Sequence, residues 1–311
     1  MTHRVGSFQE LTPERQVLAG GKGGTLAKLS QAGYPVPEGF IIFPTAFQNE
    51  TLSPEAWSEV QTQLNALRKH DKQSVFAVRS SSLSEDTAQA SFAGEFETVL
   101  NVTTDEEVRT AIDTVYRSRL SERVQTYSSA QGIEQPHQMA VVIQHMVQSE
   151  ISGVLFTADP ITGSYTSMLG NCVYGLGEPL VSGSADAYPF TLHRPKGKYD
   201  GPDTLRPYAS KLYTFAMRLE QELDGPQDIE WAVAKGNLYL LQARPITTLT
   251  AGNLDTYDIN ESLTGDALWV NANVGEAIPD VVTPLTWSLL RQLDNAAGFI
   301  PGYYLWSGNI C

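Results

Sequence analysis

Asp228-Ile229-Glu230-Trp231-Ala232-Val233, a break at Lys235-Gly236-Asn237, and Leu238-Tyr239-Leu240-Leu241-Gln242-Ala243-Arg244-Pro245 read as a β-hairpin in a chain of 311 residues. Two β-rich arms flank a glycine between polar residues, the pattern of antiparallel strands joined tightly. With the turn at Lys235-Gly236-Asn237, Glu230, Gln242 and Arg244 fall on one face, because side chains two apart on a strand share a face. A carboxylate beside an amide oxygen makes a hard-oxygen pair of the kind Mg²⁺ takes, and an arginine next to them suits phosphate oxygens. The same residues also fit a plainer arrangement, a cross-strand Glu230–Arg244 salt bridge that only holds the hairpin together.

Two stretches upstream carry related chemistry. Gly20-Gly21-Lys22-Gly23-Gly24-Thr25 reads as a glycine loop opening a short helix that Gly33 closes. Backbone N–H groups bared by glycine, a helix N-terminus and the Lys22 charge together form a device for anions. It is not a Walker A loop, since Gly23 stands where Ser or Thr follows the lysine and Gln16 where the first glycine belongs. A flexible surface turn explains it equally well. Arg79 ends the apolar strand Val75-Phe76-Ala77-Val78 and precedes Ser80-Ser81-Ser82, a pattern expected to aim a guanidinium and several hydroxyls at one point. The alternative is an ordinary ion pair with Glu85 or Asp86.

Strands are expected at Phe40–Phe43, Phe96–Leu100 and Asn171–Tyr174, and a helix over Ser210–Leu223. Val108, Ala111, Ile112, Val115, Tyr116, Leu120 and Val124 recur at helical spacing, the stripe of a long amphipathic helix. Met139–Val147 is a nearly continuous apolar run that reads as a strand buried on both faces, with Gly153–Thr157 as its neighbour. Within it Gln144 reads as a group satisfying backbone and Met146 as core filling. Glu178 follows the glycine turn Gly175-Leu176-Gly177. The five histidines have no ligand spacing.

A net charge of -14 excludes the basic footprint that sequence-independent binding to nucleic acid or anionic lipid requires. The two cysteines form no disulfide framework or metal spacing, and no run reaches the length of a membrane span. The expectation is a cytoplasmic protein with no nucleic acid or membrane partner.

Taken in order, Gly20-Gly21-Lys22-Gly23, Ala77 through Arg79-Ser80-Ser81 to Ser91-Phe92-Ala93-Gly94, Ser152–Pro160, Gly175-Leu176-Gly177-Glu178, Pro226–Trp231 and Gln242-Ala243-Arg244-Pro245 resemble the ATP-binding domain of the phosphoenolpyruvate synthase and pyruvate phosphate dikinase superfamily. The nearest branch is rifampicin phosphotransferase. The resemblance covers about residues 15–247 and implies an α+β, two-lobed ATP-grasp fold with mixed, largely antiparallel sheets. Its lobes would be residues 1–147 and 148–250, the second carrying the metal-binding hairpin, with a linker and the start of a following domain over 251–311. It implies ATP and Mg²⁺ as cofactors. Lys22, Arg79 and Arg244 match the phosphate-binding positions, and Glu230 and Gln242 the Mg²⁺ ligands. Gln144, Met146 and Val147 match the segment lining the adenine pocket; Gly94, Arg123 and Glu178 are further nucleotide-binding candidates.

In this superfamily a phosphoryl group passes from ATP to a histidine on a mobile domain and on to a small-molecule acceptor bound elsewhere. The Thr-Ser-His-Ala type motif of that histidine does not occur in this sequence. The resemblance therefore implies a phosphohistidine domain supplied in trans or by a longer parent chain. A stand-alone kinase acting on a small acceptor, and a nucleotide-binding module without chemistry, are the alternatives.

Overall fold

The computed structural model describes residues 4–69, 74–83, 86–87, 90–91, 96–121, 138–181 and 187–246, all within the compact unit Met1–Thr248. Residues 249–311 form a second unit outside the described residues, as are Gly94 and Arg123.

In chain order the strands are β1 (Val5–Ser7), β2 (Gly39–Ile42), β3 (Phe47–Gln48), β4 (Thr51–Leu52), β5 (Phe76–Ser82), β6 (Asp86–Thr87), β7 (Ala90–Ser91), β8 (Thr98–Val102), β9 (Met139–His145), β10 (Ile151–Phe156), β11 (Ser167–Tyr174), β12 (Tyr188–His193), β13 (Lys198–Asp200), β14 (Gln227–Ala234) and β15 (Asn237–Pro245). The helices are α1 (Pro13–Leu18), α2 (Gly20–Gln31), α3 (Pro54–Arg68), α4 (Asp105–Arg117), α5 (Glu178–Val181) and α6 (Arg206–Glu222). Five strands form one sheet in the order β1-β2-β9-β5-β8 and six form another in the order β13-β12-β11-β10-β14-β15. Every pairing among the described strands is antiparallel, so neither sheet is mixed.

Alternation along the strands builds both cores. On one face of the five-stranded sheet Phe40, Ile42, Phe76, Val78, Val141 and Ile143 pack against Val60 and Leu64 of α3 and Val108, Ile112 and Val115 of α4. On the other face Ile41 and Val142 meet Leu26 and Ala27 of α2. Each such fully buried side chain is worth about 1.5–3 kcal/mol, so the sheet is held from both sides. Val108, Ala111, Ile112, Val115 and Tyr116 are buried as their spacing requires, whereas Leu120 of the expected stripe is exposed, and Thr104 and Glu107 close a capping box at the start of α4. The helix stops at Arg117, followed by a 3₁₀ turn to Leu120; Val124 lies outside the described residues. In the six-stranded sheet Leu155, Phe190, Ile229, Trp231 and Leu240 face Leu212, Ala216 and Leu219 of α6.

Two expectations fail here for geometric reasons. β10 is not a neighbour of β9: Met146 N–H bonds to Val75 and Glu150 N–H to Val233, so the chain crosses between sheets within a few residues. The glycine stretch is not a loop. Gly20–Gly24 is the start of α2 itself, and the missing side chains let that turn sit against backbone. A Cβ on Gly20 would lie 2.4 Å from the Ser81 carbonyl oxygen, and one on Gly24 2.6 Å from that of Gln16. The helix does end at Gly33, which takes φ +81°. Leu29 in the last turn of α2 and Tyr34 just past Gly33 enter the core of the six-stranded sheet, and the Pro35 carbonyl accepts a hydrogen bond from Leu240 N–H at 3.0 Å, so α2 and its exit tie the two sheets together.

Candidate functional site

Arg79 points from the five-stranded sheet to the hairpin of the other. Its Nη2 donates to Glu230 Oε2 and Gln242 Oε1, both at 2.9 Å, and its Nη1 donates to the Leu241 carbonyl at 3.1 Å. Arg79 stays on this side because Ala77, Arg79 and Ser81 alternate with Phe76, Val78, Ser80 and Ser82 along β5. For the same reason the three serines do not converge on one point. Ser81 alone shares the face of Arg79, and it is used structurally: its hydroxyl accepts from Gly23 N–H at 2.9 Å and donates to the Ala19 carbonyl at 2.7 Å. This bridge fixes the first turn of α2, and with it the backbone of half-buried Lys22, two residues along β5 from Arg79.

The hairpin reaches its one-faced arrangement by an unexpected route. Asn237 pairs with Ala234, so the turn is only Lys235-Gly236, both with positive φ. A regular ladder from that turn would set Leu241 opposite Glu230 and turn Gln242 to the opposite face. The register slips between Glu230 and Trp231 instead, leaving Leu241 as the extra residue of a bulge and pairing Glu230 with Gln242 and Asp228 with Arg244. The Leu241 carbonyl serves Arg79 as an acceptor.

The Glu230–Arg244 pair that the hairpin sequence allows does not form, and Glu85 and the Asp86 side chain lie outside what the structure describes. Glu230 pairs with Arg79, and Arg244 pairs with Asp228, whose Oδ2 accepts from Nε at 2.8 Å and lies 2.7 Å from Nη2. Asp228 is the residue the sequence reading missed, although it stands two positions before Glu230 and so shares its face. It is buried, and its Oδ1 has no hydrogen-bond partner among the described residues. Burial pushes the Asp228 carboxyl above its ordinary pKa, against the pull of Arg244.

Among the described residues, Gln144, Met146, Val147 and Glu178 share no hydrogen bond with this cluster. Gln144 is buried in β9 and donates to the Pro37 carbonyl at 3.3 Å. Met146 accepts through sulfur from Asn101 N–H at 3.4 Å, and Val147 is half-buried in the crossing between sheets. Glu178 is exposed at the start of α5.

The donor set fits Mg²⁺. Glu230 Oε2 and Gln242 Oε1 share one donor nitrogen, so one cation can reach both, and the unpartnered Asp228 oxygen adds a third hard donor on the same face. Among the described residues no group of three or more His, Cys, Asp or Glu side chains forms a metal cage. Mg²⁺ needs none, because it is commonly held by one or two carboxylates with phosphate oxygens and water completing its shell.

Rifampicin phosphotransferase from Streptomyces sp. is 31% identical over 296 residues, covering 74% of this chain and 34% of the relative. A probable phosphoenolpyruvate synthase from Methanothermobacter thermautotrophicus is 30% identical over 327 residues, covering 82% and 48%. The chain thus spans between a third and a half of the length of these relatives. D-alanyl-alanine synthetase A from Vibrio cholerae is similar at 11% identity and a TM-score of 0.40, over 73% of this chain and 56% of that one. No helix among the described residues is long and apolar enough to cross a membrane. The fold is the α+β, two-lobed ATP-grasp arrangement that the motifs imply. The family model for the pyruvate phosphate dikinase AMP/ATP-binding domain matches residues 44–207 and 206–262, and the chain belongs to that family.

Proposed function

We propose that this chain is the ATP·Mg²⁺-loading part of a cytoplasmic dikinase-type phosphotransferase, with residues 1–147 and 148–250 as the two lobes around the nucleotide. The observation that carries the reading is the convergence of Arg79 from one sheet with Glu230, Gln242 and Asp228 from the other. Arg79, a phosphate-binding candidate, thereby meets the metal-binding candidates Glu230 and Gln242 between the two sheets. Lys22, Arg79 and Arg244 bind the phosphate chain and neutralise charge that builds up as a P–O bond breaks, which is most of what catalysis of phosphoryl transfer demands. Glu230, Gln242 and Asp228 would hold Mg²⁺, which would supply neutralisation of phosphate charge there. Gln144, Met146 and Val147 are assigned to the adenine end, and Gly94, Arg123 and Glu178 are further nucleotide-binding candidates. The phosphoryl group goes to a histidine on a separate domain or chain, and from there to a small-molecule acceptor bound elsewhere.

Thermal denaturation of the chain with and without ATP·Mg²⁺ tests the loading step. At a hundredfold excess over Kd the ligand stabilises by about 2.7 kcal/mol, which raises Tm by about 5–10 °C in a unit of this size. Superimposable melting curves refute the reading. Mixing the chain with the histidine-domain protein of its own system and radiolabelled ATP should then give AMP, a phosphorylated histidine on the partner and the second phosphoryl group released to water or phosphate. ADP and a phosphorylated small molecule made by the chain alone would replace this reading with that of a stand-alone kinase.

A further inference from the structure

We infer that Arg79 is an internal competitor of the metal. It holds Glu230 and Gln242 closed to a free divalent cation and releases them only to one that arrives with phosphate. The inference rests on the proposed nucleotide reading and adds to it an order of loading.

One guanidinium nitrogen lies 2.9 Å from both Glu230 Oε2 and Gln242 Oε1, and the other nitrogen is fixed to the Leu241 carbonyl. These two oxygens are the donors assigned to the cation, so cation and guanidinium cannot occupy the same place between them. The site is half-closed: the Arg79 and Glu230 side chains are 15% and 24% exposed, so water screens their interaction only in part. A free divalent cation must therefore displace a guanidinium nitrogen that loses both of its acceptors, Glu230 and Gln242, and gains only water. Leaving a charge unpaired at such depth is strongly unfavourable.

A nucleotide changes the balance because its phosphate oxygens are better acceptors for an arginine fork than a carboxylate and an amide already shared with a metal. Arg79 then moves from the hairpin to phosphate while the cation takes the vacated oxygens, and neither charge is left alone. Metal and nucleotide tighten one another by the same factor. Because Arg79 also links the two sheets, the same exchange replaces a side-chain bridge between the lobes by one that runs through the ligand.

The test is Mn²⁺ binding to the full chain, followed by the paramagnetic resonance signal of free Mn²⁺, in wild type, Arg79→Gln and Glu230→Gln, each with and without ATP. Without nucleotide, wild type should bind Mn²⁺ weakly and Arg79→Gln should bind it on the order of tenfold more tightly or better, since a like charge a few ångströms away has been removed. Glu230→Gln should lose Mn²⁺ binding under both conditions. If Arg79→Gln does not fold, Arg79→Lys serves, because a lysine keeps the charge but cannot reach all three acceptors; it should bind Mn²⁺ roughly threefold more tightly than wild type. Equal Mn²⁺ affinity in wild type and the folded Arg79 variant, with ATP-dependent Mn²⁺ binding that Glu230→Gln abolishes, overturns the competition and leaves the proposed function standing. Failure of wild type to bind Mn²⁺ even with ATP overturns both.

Discussion

Replacing Gly20 with alanine should lower the melting temperature far more than replacing Gly33, although both glycines have positive φ, +74° and +81°. The left-handed backbone costs an L-residue about 1–2 kcal/mol in either case. Gly33 faces open space, with nothing within 4 Å of an added Cβ, so that strain is its whole penalty. At Gly20 the Cβ would lie 2.4 Å from the Ser81 carbonyl oxygen, 2.5 Å from Ser81 Oγ and 2.7 Å from the carbonyl carbon. Strand β5 is paired on both sides, to β8 and β9, so the helix must give way instead. Its retreat adds about 1–3 kcal/mol of overpacking. It also pulls Gly23 N–H and the Ala19 carbonyl off the Ser81 hydroxyl. The totals are about 2–5 kcal/mol for Gly20→Ala and about 1–2 kcal/mol for Gly33→Ala, or Tm losses of roughly 4–20 °C and 2–8 °C. Gly23→Ala should fall between, because its Cβ meets the end of the Ile41 side chain, which can turn aside. Circular dichroism melts of the three variants decide it. A Gly20→Ala variant that melts with Gly33→Ala would show that the helix does not need its close approach to β5, and the case for α2 as a fixed carrier of Lys22 would go with it.

Two further outcomes follow from particular side chains. Glu107 is held down to about 2, first by the Thr104 N–H and then by the hydroxyl and N–H of Thr103; its folded value lies below its unfolded one, so the capping box adds stability above pH 4.5 that is lost as pH falls toward 2. Glu107→Gln should flatten the acid limb of a Tm-against-pH curve in that window and leave the curve above it parallel to wild type. Tyr34→Phe removes the 2.9 Å hydrogen bond to Glu222 Oε2 while keeping the ring under Arg218. It should lower Tm by about 2–4 °C, the effect of about 1 kcal/mol for a bond whose acceptor is partly in water. An unchanged Tm would mean that the hydroxyl contributes nothing to docking the α2 exit on α6.

Periodicity carried the parts of this fold that are local. The α4 stripe through Tyr116, the apolar run of β9 and the two arms of the hairpin each bury what their spacing says they should. Properties that depend on a partner far along the chain were not legible. Nothing within Gly20–Gly24 says that the Ser81 backbone will lie against it, so bare glycine reads as a loop when it is a helix pressed onto a strand. Nothing within Ile151–Phe156 says which sheet it joins. Ser80-Ser81-Ser82 reads as a cluster until the strand is known to continue through Ser82, after which alternation separates them. Asp228 was within reach, since a strand position two before a proposed ligand shares its face, but its burial and its pairing with Arg244 depend on residues sixteen positions away.

The hairpin shows how a site can be right in outcome and different in construction. A three-residue turn and a regular ladder would bring Glu230 opposite Gln242; so do a two-residue turn and one extra residue in the arm. The two constructions differ in what they leave over. The regular ladder frees a residue in the turn, at the exposed tip and away from the chemistry. The bulge frees one beside Glu230, and its carbonyl faces the other sheet, where Arg79 takes it. A tight Lys235-Gly236 turn therefore lets the strand spend its irregularity at the place where an additional acceptor is useful. That acceptor is also the one Arg79 contact that a cation bound to Glu230 and Gln242 would not contest. Leu241 can keep the arginine near the hairpin while its other nitrogen changes partners, so the exchange between metal and guanidinium needs only a rotation of the fork and no separation of the sheets.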